Sequence, residues 1–130
     1  MKTIVFACVQ NAGRSQMAAA FLNQLSDRKK VRGISAGTEP AEKVHPEVLQ
    51  VMKEVGIDLS SSKPTLLTLE LAQSANLLVT MGCGEKCPYV PGLKTLDWKL
   101  EDPKGKNLEQ VRKTRDQIKA LVLQLIQSIG

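Results

Sequence analysis

The chain has 130 residues, of which 42% are hydrophobic, 3% aromatic and 24% charged, and its formal net charge is +5 at pH 7. This length and composition indicate one globular domain over residues 1–130 and exclude a chain that is disordered throughout. The apolar runs are far shorter than the roughly 20 residues of a membrane span, and no secretory signal is recognisable, so we expect a cytoplasmic protein without membrane association. The few aromatic residues are not interleaved with basic clusters, which argues against nucleic-acid binding.

The hydrophobic pattern predicts strands that alternate with helices. Strands are predicted over residues 2–8, 31–35, 76–81 and 93–96, with a turn at 36–38. Helices are predicted over residues 15–25, 45–55 and 107–129, with a short additional helix that begins at Thr65 or Thr68 and ends at Gln73. Such alternation implies a parallel sheet covered on both faces, and ligands of these sheets bind beyond the carboxyl ends of the strands. Cys8, Cys83 and the segment after Leu96 all lie at such ends.

The run CVQNAGRS at residues 8–15 lies between the first strand and the first helix. Backbone N–H groups in a loop at a helix N-terminus can bind a tetrahedral anion, and the guanidinium of Arg14 can bind two of its oxygens. The same positive field favours the thiolate of Cys8, which could then attack the central atom of the anion. The predicted oxyanion-binding residues are Val9, Gln10, Asn11, Ala12, Gly13, Arg14 and Ser15.

Asp102 is a candidate general acid. It lies in a predicted loop between Glu101 and Pro103, and the proline restricts it to extended conformations. A carboxyl group held over the anion could protonate a leaving oxygen. Glu101 is the weaker candidate for this role. Trp98 is expected to be a packing anchor for the same loop.

The chain has three cysteines, and the other two, Cys83 and Cys87, lie in the Gly-containing run that follows the third predicted strand. An odd number of cysteines argues against a framework of structural disulfides. Three interpretations remain open at this point: inert thiols, a zinc site that would also need His45, or a redox pair. A zinc site is disfavoured because His45 is distant in sequence, and we otherwise expect His45 to be a surface residue at a helix start.

The sequence resembles the arsenate reductases of the low-molecular-weight protein tyrosine phosphatase superfamily. The resemblance is carried by CVQNAGRSQMA from Cys8, SAGT at 35–38, VMKEVGIDLS at 51–60 and LDWKLEDPKGK at 96–106, and it covers nearly the whole chain. It implies an α/β three-layer sandwich, phosphatase-like or flavodoxin-like, with a four-stranded parallel sheet in the order 2-1-3-4.

The resemblance also implies a set of catalytic residues. Cys8 would attack arsenate, with Arg14 binding the anion and Asp102 acting as the general acid. Cys83 would then attack the sulfur of Cys8 and release arsenite, and Cys87 would resolve that disulfide for reduction by thioredoxin. Phosphate or sulfate should compete with arsenate. We expect no cofactor and no metal, and we expect a monomer.

Two alternatives stay open. A phosphatase would need only Cys8, Arg14 and Asp102, and a non-catalytic sensor would bind an oxyanion or a metal through its thiols. The basic residues of the last helix are expected to be solvated, with docking of the reductant as the other use for them. They are Arg112, Lys113, Arg115 and Lys119.

Overall fold

The computed structural model describes residues 2–27, 29–82 and 90–129. The described strands are β1 (Lys2–Cys8), β2 (Val31–Gly37), β3 (Leu77–Thr80) and β4 (Lys94–Asp97). The described helices are α1 (Arg14–Leu25), α2 (Pro46–Lys53), α3 (Leu69–Gln73) and α4 (Leu108–Ile129). No helix in these parts of the chain is long and apolar enough to cross a membrane.

The four strands form one sheet in the order β2-β1-β3-β4, and every pair is parallel. The expected strand order is therefore confirmed. The pairing register places Cys8 opposite Gly37 and Thr80 opposite Asp97, so the last residues of the strands lie along one edge. This is the edge at which ligands of parallel sheets bind.

Both faces of β1 are buried, which explains its uninterrupted apolar sequence. Ile4, Phe6 and Cys8 belong to a large core that contains side chains from α1, α2 and α4. Val5 and Ala7 belong to a smaller core on the opposite face, which includes Ala72 and Leu71 of α3. Because successive side chains of a strand point to opposite faces, α1, α2 and α4 cover one face of the sheet and α3 covers the other. The three-layer α/β fold is confirmed.

The second strand is longer than predicted, because Ala36 and Gly37 continue it instead of forming a turn. Their pairing with β1 accounts for this, and the segment after residue 64 adds further hydrogen bonds: Gly37 N donates to Thr65 O at 2.8 Å, and Leu67 N donates to Gly37 O at 2.7 Å. A side chain at Gly37 would come within 2.6 Å of Val9 O. Glycine at this position thus allows β2 to approach the loop that follows β1.

Helix α2 is shorter than predicted. It ends at Lys53, and Gly56 then adopts a positive φ of 83°. Val51 is fully buried, whereas Val55, which lies beyond the end of the helix, is 36% exposed. The early end of the helix explains the difference, since a residue beyond it no longer follows the helical periodicity. At α3, the side chain of Thr68 accepts a hydrogen bond from Leu71 N, so Thr68 is the cap.

Arg115 is buried, which corrects the expectation that the basic residues of α4 are all solvated. Its guanidinium donates to Val51 O at 2.9 Å and to Glu54 Oε1 at 3.0 Å. Arg112 binds the same carboxylate through Nε at 2.9 Å and Nη2 at 2.7 Å, and this hydrogen bonding lowers the pKa of Glu54 from 4.5 to about 2. The two arginines therefore join α4 to the end of α2.

Candidate active site

A small cavity opens at the carboxyl edge of the sheet. It contains the thiol at the end of β1, residues of the following loop, and side chains from two distant segments. Its lining residues are Cys8, Gln10, Ala12, Gly13, Arg14, His45 and Asp102. The residues predicted from three separate parts of the sequence to act on an oxyanion, Cys8, Arg14 and Asp102, thus share one cavity.

The loop between β1 and α1 holds its carbonyl oxygens in hydrogen bonds with its surroundings. Those of Cys8, Val9 and Gln10 accept from the backbone N–H groups of residues 38, 39 and 41 at 2.8–3.1 Å. The carbonyl of Ala12 accepts from His45 N at 3.0 Å, and that of Gly13 accepts from the first turn of α1. Such a loop is fixed in shape before any ligand arrives, as an anion-binding loop requires.

Asn11 stabilises this loop through hydrogen bonds. It is fully buried and has a positive φ of 51°, a conformation that asparagine tolerates better than most residues. Its Nδ2 donates to Ser15 Oγ at 2.7 Å, and its Oδ1 accepts from Thr65 N at 2.9 Å. Gln16 Nε2 donates to the Asn11 carbonyl at 3.1 Å and to Lys63 O at 3.4 Å. The side chains of Asn11 and Ser15 thus support the loop that forms the cavity.

Cys8 is 2% exposed, so the cavity is the route by which a ligand would reach its sulfur. Its Sγ lies 2.9 Å from Ser15 Oγ, and that hydroxyl already accepts the hydrogen bond from Asn11. A thiolate has no proton to donate, so Ser15 would be the donor to a deprotonated Cys8, and a hydrogen bond of this kind stabilises a thiolate.

Arg14 lies in the first turn of α1 with its side chain only 8% exposed. Its Nη1 donates to Leu100 O at 3.3 Å, and its Nη2 lies 3.6 Å from Asp102 Oδ2. Gly82, with a positive φ of 88°, packs directly against the guanidinium, and any side chain there would collide with it. Gly82 is a structural contributor that the sequence reasoning missed, and the signal was a glycine directly after a buried strand.

The segment that carries Asp102 lies over the loop. A Cβ added to Gly13 would come within 2.7 Å of Pro103 Cγ, so glycine is required for this close approach. The Asp102 side chain is 55% exposed, and its Oδ1 accepts from Lys104 N at 3.0 Å. The neighbouring Glu101 instead lies 3.7 Å from Lys106 Nζ and does not line the cavity. Asp102 is therefore the better placed of the two carboxylates.

His45 lines the cavity, although the sequence indicated only a surface residue at a helix start. It does precede α2, and its backbone N–H bonds the Ala12 carbonyl. The contact arises because the segment between β2 and α2 returns to the loop that follows β1. No local sequence pattern reveals such a long-range approach. Trp98 packs on Phe6 with ring centroids 5.8 Å apart, as expected of a packing residue.

A family profile and several known proteins match this chain. The profile of the low-molecular-weight phosphotyrosine protein phosphatases matches residues 3–130. The chain belongs to that family. A glutaredoxin arsenate reductase of Synechocystis is 37% identical over 133 residues, which cover all of both chains. An arsenate reductase of Staphylococcus aureus is 38% identical over 126 residues, or 93% of each chain.

Solved structures of similar proteins have the same fold. A thioredoxin-dependent arsenate reductase of Corynebacterium glutamicum has a TM-score of 0.85 at 36% identity, and the match covers 99% of this chain but 62% of that one. An arsenate reductase in a phosphate-binding state matches over the full length of both chains, with a TM-score of 0.84 and 36% identity. An arginine phosphatase of Geobacillus stearothermophilus has a TM-score of 0.83 at 28% identity, covering 99% of this chain and 93% of that one. The proteins that this chain resembles thus include both reductases and phosphatases.

The other two cysteines, Cys83 and Cys87, lie outside the described residues. Their predicted part in a redox relay, or in a zinc site, stays a prediction. Within residues 2–27, 29–82 and 90–129, no cluster of three or more His, Cys, Asp or Glu side chains could hold a metal ion.

Proposed function

We propose that this chain is an arsenate reductase that converts arsenate to arsenite through an intramolecular disulfide relay. The observation that carries the proposal is the shared cavity, in which a buried cysteine, a buried arginine and an exposed aspartate lie around a rigid loop. Arsenate has the shape and charge that such a loop binds. The names of the relatives support the reaction, and the phosphate-binding state of a related reductase supports the ligand class.

The first step is a substitution at arsenic. The Cys8 thiolate attacks arsenate, which is bound by Arg14 and by the backbone N–H groups of residues 9–15. The Sγ–As bond forms as one As–O bond breaks. The departing hydroxyl takes a proton from Asp102 and leaves as water. Arsenic keeps its oxidation state in this step, and the hydrogen bond from Ser15 stabilises the attacking thiolate.

The second step is the reduction. The Cys83 thiolate attacks Cys8 Sγ, the S–S bond forms, and the S–As bond breaks with its electron pair remaining on arsenic. Arsenite then leaves, so arsenic gains the two electrons that the two sulfurs lose. The Cys87 thiolate attacks Cys83 and frees Cys8. The resulting Cys83–Cys87 disulfide is reduced by exchange with a dithiol donor, for which we propose thioredoxin on the precedent of the Corynebacterium enzyme.

The proposal extends to the assembly and location of the enzyme. We propose one domain over residues 1–130 that acts as a monomer, since a single chain supplies the thiol, the guanidinium and the carboxyl group that the first step needs. The relay needs reduced thiols, which thioredoxin maintains in the cytoplasm, and we therefore propose a cytoplasmic enzyme. Sedimentation at assay concentration checks the monomer.

A coupled assay tests the function. The protein is mixed with arsenate, thioredoxin, thioredoxin reductase and NADPH, and NADPH consumption is followed for the wild type and for Cys8→Ser, Cys83→Ser and Cys87→Ser. We expect multiple turnovers in the wild type and loss of turnover in all three variants. Turnover that survives in Cys87→Ser would contradict the attack of Cys87 on Cys83. It would mean that the donor reduces the Cys8–Cys83 disulfide directly.

A phosphatase is the second candidate, and the similarity to the arginine phosphatase favours it. That reaction would use Cys8, Arg14 and Asp102 but not the other two cysteines. Cys83→Ser separates the two functions, because it should abolish arsenate reduction and leave hydrolysis of an aryl phosphate unchanged. Hydrolysis that depends on Cys8, with no arsenate turnover from any thiol donor, would replace the reductase by the phosphatase.

A further inference from the structure

His45 is the cavity residue to which the proposed reaction gives no role. Its position is fixed through the backbone: its N–H donates to Ala12 O at 3.0 Å, and its carbonyl accepts from Val48 N at 3.0 Å and Leu49 N at 3.1 Å. Its ring lines the cavity, and its Cδ2 would lie 3.7 Å from a Cβ placed on Gly13. The imidazole is thus held at the rim, beside the loop that receives the anion.

Capping of α2 does not account for a histidine at this position. The His45 side chain makes no hydrogen bond that caps the helix within the part of the chain that the structure describes. Helices favour Ser, Thr, Asp or Asn at this position because their short side chains can accept from the first turn. The ring therefore faces the cavity without serving the helix that it precedes.

The charges around the ring favour a role in anion binding. The titratable groups that face the same cavity are the Cys8 thiol at the end of β1, Arg14 at the start of α1 and Asp102 after β4. Within two residues of His45, the charged side chains are Lys43 and Glu47, one of each sign, and Glu39 and Glu42 lie earlier in the segment between β2 and α2. An imidazolium would add a second cation to a cavity in which Arg14 is already paired with Asp102, 3.6 Å away.

We propose that His45 is an additional oxyanion-binding residue, and that its protonated form tightens the binding of tetrahedral dianions in the cavity next to Cys8. The inference rests on the proposed function, because it assigns a further ligand to the same oxyanion site. Histidine changes its charge within the range from about pH 5 to about pH 8, so the site gains affinity as the pH falls through this range. By linkage, a bound dianion must favour the protonated imidazole by the same factor.

Sulfate is the suitable probe, because it remains a dianion across this range whereas arsenate itself titrates. The measurements use Cys8→Ser protein, in which the thiol cannot contribute to the pH profile. Asp102 is present in both proteins, so it does not contribute to a difference between their pH profiles. The comparison protein carries Cys8→Ser with His45→Asn, which removes the charge and supplies a better helix cap, so the fold is retained. Sulfate affinity is measured calorimetrically from about pH 5 to about pH 8 for both proteins.

In the protein with His45, we expect sulfate to bind roughly tenfold more tightly at the acid end of the range than at the alkaline end. In the protein with His45→Asn, we expect the affinity for sulfate to depend little on pH. The chain has one histidine, so its ring protons give an unambiguous NMR titration. Saturating sulfate should raise the midpoint pH of that titration by the logarithm of the ratio between the sulfate affinities of the protonated and neutral forms.

Two results would overturn the inference, and they have different meanings. If sulfate binds and the two pH profiles coincide, His45 has no part in binding, while the oxyanion site and the proposed reaction stand. If sulfate binds neither protein and does not compete with arsenate in the wild-type assay, the cavity is not an oxyanion site. The proposed function then fails together with the role of His45.

Discussion

The two halves of the candidate site are built differently. The loop from Cys8 to Ser15 is buried, and its carbonyls are held by hydrogen bonds to neighbouring segments. The segment that carries Asp102 exposes the side chains of Glu101 and Asp102. It is anchored by Leu100 on the core, by the buried Pro103 against Gly13 and by the interactions of Arg14. The difference indicates that the loop binds the anion, whereas the segment with Asp102 supplies a proton.

This contrast has a physical reason. A site that stabilises a developing charge gains most when its donors need no rearrangement, and buried, bonded loops provide this. A general acid must reach the leaving oxygen and exchange its proton with water, which requires exposure. We expect substitutions in the loop to weaken both anion binding and folding, and substitutions in the acid segment to weaken the chemistry alone.

The largest effect is expected at Arg14. Arg14→Lys keeps the positive charge but loses the planar guanidinium, and kcat/KM for arsenate should fall by about 10²–10³-fold. Arg115→Lys is the matched control, because Arg115 is also a buried arginine but joins α4 to α2. It should lower the midpoint of urea unfolding and leave kcat/KM unchanged. Equal losses of activity in both variants would mean that Arg14 acts only through the fold.

The next effect is expected at Asp102. Asp102→Asn removes the proton donor and should lower kcat by about 10²-fold, with little change in stability because the side chain is exposed. Glu101→Gln is the control, since this neighbouring carboxylate pairs with Lys106 outside the cavity. Steady-state kinetics of the two variants decide the assignment. A larger loss of kcat in Glu101→Gln would transfer the acid role to Glu101.

Asn11 tests the rigidity of the loop. Asn11→Ala removes the side-chain hydrogen bonds to Ser15 Oγ, Gln16 Nε2 and Thr65 N, and it should lower the free energy of unfolding by about 2–4 kcal/mol and kcat/KM by about tenfold. Asn107→Ala is the control, because Asn107 Oδ1 accepts from Gln110 N at the start of α4, and its loss should cost about 1 kcal/mol without changing activity. An unchanged kcat/KM in Asn11→Ala would show that the chemistry does not need a rigid loop.

The smallest effect concerns the clamp between α2 and α4, which consists of Glu54 and its partners Arg112 and Arg115. Arg112 lowers the pKa of Glu54 from 4.5 to about 2. The ionised carboxylate therefore stabilises the fold fully when the pH is above the pKa that Glu54 has in the unfolded chain. This contribution should be lost as the pH falls from about 4.5 to about 2. Urea unfolding of the wild type and Glu54→Gln should therefore differ near neutral pH and converge in acid. The difference should also shrink at high salt. A difference that does not change with pH would remove the clamp from the account.

The fold was largely predictable because its signals are local. Buried strands of Ile, Val and Phe alternate with amphipathic helices, and the motif at Cys8 marks the carboxyl edge of the sheet. The strand at Ala36 and Gly37 was not predictable in this way, since partners distant in sequence create it. Small residues followed by threonine read as a turn when only neighbours in sequence are considered.

The candidate site was predictable to the same extent. Cys8, Arg14 and Asp102 were identified from motifs, and they share the cavity. His45 and Gly82 were missed because each acquires its role from a long-range approach: the ring beside Gly13, and the backbone against the Arg14 guanidinium. The burial of Arg115 was missed for the same reason, as its partners lie on α2.

The central claim is that the protein itself supplies the two electrons that reduce arsenate. A single-turnover experiment tests it directly: fully reduced protein is mixed with excess arsenate in the absence of any donor, and both released arsenite and remaining thiols are counted. The account predicts one arsenite per chain, one free thiol of the original three, and a Cys83–Cys87 disulfide identified by mass spectrometry after alkylation. If all three thiols remain free and no arsenite is released, the relay is contradicted.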